Sequence, residues 1–177
     1  MVATILTVGD VLLTGQVVDT NATWLSRQLY DVGVQVRRVV TVGDRDRDIR
    51  DVLEQEWLKS NLFIITGGLG PTANDLTRDA VVHYFAHYHL RDQQEIAAEI
   101  VEYYEHHVGK VPEFLLNTAM SRMGFKALYN SAGGVPGFFY EVFAGRALFA
   151  VPGVPHEMKA IYHSEISPYI HRKRSER

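Results

Sequence analysis

Along the first half of the chain, short apolar runs alternate with stretches in which apolar residues recur every three or four positions. Ala3–Val8 (ATILTV) is an apolar run that stops at Gly9-Asp10, as a buried strand opening into a loop does. Ala22, Leu25, Leu29 and Val32 follow at helical spacing, which predicts a helix capped by Asp19 or Thr20 and stopped by Gly33. Val34–Val42, rich in β-branched residues, reads as a second strand and ends at Gly43-Asp44. Ile49, Val52, Leu53 and Trp57 then share one helical face. Asn61–Thr66 is a third strand running into glycine, and Leu76, Ala80, Val81, Tyr84 and Phe85 form the stripe of a third helix. This β-α-β-α-β-α order predicts an α/β protein whose parallel sheet is covered by helices on both faces. Ligands of such sheets bind beyond the carboxyl ends of the strands, where each run here meets a glycine.

The pattern changes over Leu90–Met123. An amphipathic helix carries Ile96, Ile100 and Tyr103, a turn falls at Gly109–Pro112, and a shorter helix carries Leu115, Leu116 and Ala119. Phe138–Phe143 and Arg146–Val151, separated by Ala144-Gly145, predict a small β-hairpin. Pro152-Gly153-Val154-Pro155 ends its second strand, and Met158, Ile161 and Tyr162 mark a last helix. With no internal repeat and no low-complexity linker, residues 1–170 read as one domain and 171–177 as a basic tail.

Composition narrows the chemistry. The 177 residues include no cysteine, which removes disulfides, thiolate metal sites and a cysteine nucleophile. No apolar run approaches the length of a membrane span, and the first residues lack a basic signal region, so a soluble, cytoplasmic protein is expected. The net charge is −3, but HRKRSER at the end holds four of the 18 basic residues; residues 1–170 carry 14 basic against 20 acidic side chains. That balance argues against nucleic acid and membrane surfaces as partners.

The strongest chemical signal is Thr66-Gly67-Gly68-Leu69-Gly70-Pro71-Thr72-Ala73-Asn74-Asp75-Leu76-Thr77. Three glycines in four residues let backbone approach a ligand and aim several N–H groups together, and the segment then leads into a helix N-terminus that favours an anion. It matches neither G-x-G-x-x-G nor a P-loop, and it contains no Lys or Arg. A phosphate there needs amides or a metal ion. The competing structural reading is a glycine-rich turn with Asn74 or Asp75 as helix cap. A second candidate segment runs from Gly9-Asp10 to Asp19-Thr20-Asn21, where Asp10 also fits a turn and Asp19 an N-cap. The third is Pro152-Gly153-Val154-Pro155, which equally describes a rigid turn. His83, His87 and His89, lacking a completing carboxylate, read as solvated helix residues rather than a metal site. Asp44–Asp48 (DRDRD) reads as a solvated helix start, although Asp44 stands at a strand end.

Taken together, GDVLLTGQVVDTN, TVGDRDRDI, FIITGGLGPTANDLTRDAV and VPGVPHEMK resemble the N-terminal domain of the CinA family (competence/damage-inducible proteins), within the wider MoaB/Mog-like group of molybdenum-cofactor biosynthesis. The likeness spans most of residues 3–165. It implies a three-layer α/β/α fold with a mostly parallel sheet. The wider group binds molybdopterin or its adenylated form, whereas the CinA-type domain is associated with divalent-metal-dependent hydrolysis of a pyrophosphate such as that of ADP-ribose. By motif position, Gly67, Gly68 and Gly70 cradle phosphate, joined by Thr66, Thr72, Asn74 and Thr77 of the same segment. Asn21, Pro152 and Gly153 line the same cleft. Asp75 and Asp10 are then the candidate catalytic acids, and Asp75 and Asp44 the candidate ligands for Mg²⁺, Mn²⁺ or Co²⁺. A homo-oligomer is expected by analogy.

The chain departs from that pattern. Val11 stands where the family's Gly-Asp-Glu motif has its glutamate. Leu115-Leu116-Asn117-Thr118-Ala119 replaces an N-x-K-Q-A-like stretch, and Gly133-Gly134-Val135-Pro136-Gly137 a GTAPG-like one. The separate amidohydrolase domain of full-length CinA proteins does not fit in 177 residues, so nicotinamide-mononucleotide deamidation is not expected. The expectation is therefore metal-dependent hydrolysis of an ADP-ribose-like pyrophosphate. The alternative is a module that binds molybdopterin or a nucleotide without hydrolysis, or an adenylyl-transferring relative.

Overall fold

The computed structural model describes residues 1–89, 95–107, 110–142 and 145–176. Six strands form one sheet in the order β2-β1-β3-β6-β5-β4. Strands β1 (Val2–Val8), β2 (Gln35–Val42), β3 (Leu62–Thr66) and β6 (Arg146–Val151) are mutually parallel. β5 (Gly137–Val142) runs antiparallel to β6 and to the short edge strand β4 (Lys126–Leu128). The expected hairpin is therefore β5-β6, and it is part of the main sheet rather than an appendage. Phe143 and Ala144, expected at the end of its first strand and in its turn, lie outside the described residues.

A single helical turn, α1 (Asp10–Leu13), follows β1, and strand alternation sorts the core into two clusters, one on each side of the sheet. On one face Ala3, Ile5, Leu62, Ile64 and Phe149 pack on Leu25 and Leu29 of α2 (Thr20–Asp31), Met158 and Ile161 of α7 (Pro155–Ile161), and Tyr169 and Ile170 of α8 (Ser167–Ser175). On the other, Leu6, Phe63, Ile65 and Leu148 pack on Ile49 and Leu53 of α3 (Asp46–Glu56), Val81 and Phe85 of α4 (Thr77–His89), and Leu116 of α6 (Glu113–Arg122). These are three layers, α/β/α. The central strands are buried on both faces, which explains why they read as near-continuous apolar runs. Helix α5 (Glu95–His106) packs on α4 and α6. The side chains of Ile96 and Ile100, read as its apolar face, lie outside what is described.

Several local expectations hold. Asp19 caps α2, its Oδ1 accepting from the Ala22 amide at 2.9 Å, and Gly33 follows the helix with φ +72°. Others change. The last helix is interrupted by a π-turn at Tyr162–Ile166, after which α8 continues through most of the basic tail. Lys173 reaches Glu141 at 3.0 Å, and Arg174 donates to the Val32 carbonyl, so this end of the chain is tied to the body. His83 is not a solvated surface residue: its ring stacks on Tyr104 with centroids 3.9 Å apart. His87 is exposed, and the side chain of His89 lies outside what is described.

Candidate functional site

The order β2-β1-β3 means that the chain leaves β1 in one direction and returns to β3 on its other side, creating a topological switch point. Register places the carboxyl ends of β1, β3 and β6 side by side: Thr7 pairs with Thr66, and Thr66 with Val151. The three segments singled out in the sequence leave the sheet here. They enclose a cavity of about 420 Å³, within the usual range for small-ligand sites. Its lining includes Asn21, Asp44, Thr66, Gly67, Gly68, Gly70, Asp75, Pro152 and Gly153.

A hydrogen-bonded chain ties the segments together. Asn21 Nδ2 donates to the Gly153 carbonyl at 2.8 Å and to Thr66 Oγ1 at 3.1 Å, and Thr66 Oγ1 donates to the Pro152 carbonyl at 3.0 Å. Both amide hydrogens of Asn21 are thus used by the fold. Its Oδ1 is buried without a hydrogen-bond partner.

The glycine loop owes its shape to close approaches. Gly67 has φ +100°, and a Cβ on it would lie 2.3 Å from the Val8 carbonyl oxygen. Gly68 has φ +69°, and a Cβ there would meet the Thr77 hydroxyl at 2.2 Å. Thr77 is fully buried; its hydroxyl donates to the Gly67 carbonyl at 2.8 Å and its amide to the Gly68 carbonyl at 3.0 Å. Thr77 therefore braces the loop from behind and does not line the cavity, and neither do Thr72 and Asn74. The Gly67 amide donates to Val151 at 3.1 Å. Among the described residues, the amides of Gly68, Leu69 and Gly70 enter no hydrogen bond.

Helix α4 begins at Thr77, so neither Asn74 nor Asp75 is its cap. Asp75 instead turns back. Its Oδ2 accepts from the Thr72 amide at 3.0 Å and from the Thr72 hydroxyl, and a Cβ on Gly70 would lie 2.7 Å from that oxygen. Asp10 and Asp44 hold one another's loops: the Asp10 amide donates to Asp44 Oδ2 at 3.0 Å, and the Asp44 amide to Asp10 Oδ1 at 3.1 Å. Asp10 lies outside the cavity lining, whereas Asp44 is in it.

Three contributors are not singled out by the sequence reading. Lys110 Nζ donates to the carbonyls of Gly70 (3.3 Å) and Thr72 (3.2 Å), so a lysine reaches the glycine loop from 40 residues downstream, but on its outer side. Next to it, Asp79 Oδ1 accepts from the Val111 amide at 2.7 Å, while the Tyr104 hydroxyl donates to the Asp79 carbonyl at 2.7 Å. Burial pushes the Asp79 carboxyl above its ordinary value, against the opposing pull of the Val111 amide and Lys110. Glu157 reaches the cleft wall and binds Asn130, whose amide also donates to the Val135 carbonyl at 2.8 Å; this docks the Gly133–Gly137 turn beside the cavity.

The donor set can be tested against a divalent ion. Asp44 and Asp75 both line the cleft, yet among the described residues no group of three His, Asp or Glu side chains converges to hold a metal. Such a set fits an ion of the magnesium type, which keeps its water and takes phosphate oxygens, and does not fit an all-protein cage. No Lys or Arg lines this cavity among the described residues. Likewise, no helix among them is long and apolar enough to cross a membrane.

Comparison with known proteins agrees with this fold. Residues 4–172 match the family model described as a probable molybdopterin binding domain. A CinA-like protein of Salinibacter ruber is 38% identical over 96% of this chain, and one of Chlorobaculum tepidum 36% identical over 96%. The chain spans only 41% of the length of each. Among solved structures, a CinA protein of Thermoplasma acidophilum superposes with a TM-score of 0.69 at 28% identity, covering 95% of this chain and 97% of that one. The molybdopterin biosynthesis enzyme MoaB of Thermus thermophilus shares the fold at TM-score 0.58 and 18% identity, covering 94% of this chain and 89% of its own. The chain belongs to the family described as a probable molybdopterin binding domain, and over most of its own length it is similar to CinA-like proteins.

Proposed function

We propose that this domain binds a small phosphorylated pterin or nucleotide, of molybdopterin type, with its phosphate on the glycine loop. The observation that carries the reading is the set of uncommitted amides at Gly68, Leu69 and Gly70, placed at the switch point beyond the carboxyl ends of β1 and β3. With no basic side chain among the described residues lining the cavity, these amides are the donors that meet the phosphate charge. Membership of a family described as molybdopterin-binding supports the same ligand class. Calorimetric titration with molybdopterin and with ADP-ribose tests it, combined with a product assay in Mg²⁺, Mn²⁺ and Co²⁺. Saturable binding without product is expected; no binding of either compound would refute the reading.

A second reading, hydrolysis of an ADP-ribose-like pyrophosphate, draws on Asp44 and Asp75 in the same cleft. A divalent ion, when bound, supplies Lewis-acid polarisation and an acidified water. Asp75 would help hold that ion with an oxygen not engaged by Thr72, while the loop amides stabilise phosphoryl charge. Val11, in place of the family's glutamate, removes one acid from the mouth of the cleft and favours binding over turnover. If product forms, Asp75→Asn should abolish it without lowering the unfolding temperature, because asparagine retains an acceptor for Thr72. Undiminished turnover would remove Asp75 from that role. The expected homo-oligomer is carried as part of the proposal and is tested by light scattering.

A further inference from the structure

A phosphate in this cleft is an anion among anions. Asp19, Asp44, Asp75 and Glu157 all line the cavity, and among the described residues no Lys or Arg does. Asp75 stands against the glycine loop itself, since a Cβ on Gly70 would meet its carboxylate. The amide dipoles draw a phosphate in, but the carboxylates oppose it, and a chain of net charge −3 supplies no general positive field. The compensating charge has to come from a group outside the lining or from a bound cation.

Lys110 is placed to supply it. Its Nζ bonds the loop from behind, at the carbonyls of Gly70 (3.3 Å) and Thr72 (3.2 Å). Thr72 is also the residue whose amide and hydroxyl hold Asp75 Oδ2, so the ammonium and the carboxylate are bonded to one residue. Arg78 shares a second cavity of about 430 Å³ with Lys110 behind the loop, but it is directed elsewhere: it donates to Asn117 Oδ1 at 2.5 Å and lies 3.9 Å from Glu113. Lys110 is itself anchored, because the amide of its neighbour Val111 donates to Asp79 Oδ1 in α4 at 2.7 Å. The loop is thus gripped at both ends through its carbonyls, Gly67 and Gly68 by Thr77, and Gly70 and Thr72 by Lys110. In a trans peptide the N–H points opposite to the C=O, so this grip turns the amides of Gly68 and Leu69 away from Thr77, and both residues line the cleft.

We propose that Lys110 is a positioning residue for the phosphate: it latches the far end of the glycine loop and places behind it the positive charge that offsets Asp75. A polyanion then binds on the amides with no basic side chain in the cavity. The proposal rests on the phosphate-binding reading above and names the group that makes it electrostatically workable. If Lys110 only tied down a loop, its charge would be irrelevant to the ligand. Acting across protein rather than water, the charge is felt more strongly than at the same distance in solvent, and because Lys110 is half-buried it remains open to screening by salt.

Calorimetry on the full chain tests this with inorganic pyrophosphate in metal-free, low-salt buffer. Lys110→Met should bind about tenfold more weakly than the parent, and Lys110→Gln, which keeps a donor for a carbonyl but no charge, should lose about as much. Lys110→Arg keeps the charge and should stay within about threefold of the parent. The gap between parent and Lys110→Met should shrink at least about twofold as salt rises from about 20 mM to about 500 mM, which a purely structural latch would not show. Circular dichroism confirms that each variant folds. Lys110→Met within about twofold of the parent, Lys110→Arg as weak as Lys110→Met, or a gap indifferent to salt would each overturn the role of the charge and leave the phosphate site intact. Binding by the parent only after Mg²⁺ is added would likewise overturn it, in favour of a metal ion. No binding of pyrophosphate with or without Mg²⁺ would overturn the phosphate site and the role of Lys110 together.

Discussion

Replacing Asn21 probes the stitch that makes three separate loops one cleft. Its side chain donates to Gly153 and to Thr66, and both contacts join residues far apart in the chain. Asn21→Ala removes two hydrogen bonds at about 1 kcal/mol each and exposes the Gly153 carbonyl to water, so a loss of about 2 kcal/mol is expected. For a chain of this length that lowers the unfolding temperature by roughly 4–8 °C. Asn21→Asp preserves shape but replaces a donor with an acceptor that faces the Gly153 carbonyl. The Thr66 hydroxyl, already donating to Pro152, offers it no proton without breaking that bond. The buried, unpaired carboxylate should cost a further ~1–3 kcal/mol at neutral pH. Its folded-state pKa would lie above the unfolded one, so this penalty shrinks as the pH falls through the folded value. Thermal unfolding followed by circular dichroism at pH 7 and pH 5 gives the comparison. Asn21→Asp should be the less stable variant at pH 7 and should gain on Asn21→Ala at pH 5. If the aspartate variant matches the parent at pH 7, the donor role of Asn21 is wrong and with it the order of the chain Asn21–Thr66–Pro152.

Gly67→Ala combines a left-handed backbone with a Cβ 2.3 Å from a strand carbonyl, neither of which a flexible side chain can relieve. It should destabilise by about 3 kcal/mol or more and weaken phosphate binding, read by urea titration and calorimetry. Asp79→Asn tests the buried acid behind the loop. Its raised folded pKa means that its stabilising contribution is complete below the unfolded value and is lost as the pH rises through the folded one. The stability of Asp79→Asn relative to the parent should therefore be greatest at neutral pH and should decline as the solution is acidified; a pH-independent difference would refute the assignment.

The parts of the fold legible in the sequence were those set by local pattern. β1 and β3 announce themselves because burial on both faces leaves no charged position and few polar ones, and α2 because Asp19, its apolar spacing and Gly33 mark both ends. β4 was missed since it has three residues, two of them exposed, and pairs only because β5 lies beside it. At the site, the residues that line the cavity were found where glycine or a strand end betrays them. The roles inside each segment were not legible, because they depend on partners distant in sequence. Thr77 donates its hydroxyl to the Gly67 carbonyl and Asp10 accepts from the Asp44 amide, contacts that no local pattern announces. Lys110 carries no local signal, and Glu157, inside the VPGVPHEMK segment, shows no role there until folding brings it to the cleft.

The central claim is that a phosphate sits on the uncommitted glycine-loop amides. Amide proton shifts in ¹⁵N-labelled protein titrated with molybdopterin or ADP-ribose report this directly. Saturable downfield shifts should be largest at Gly68, Leu69 and Gly70, the amides that gain a charged acceptor. Saturation with the largest changes elsewhere and these three resonances unmoved would contradict it.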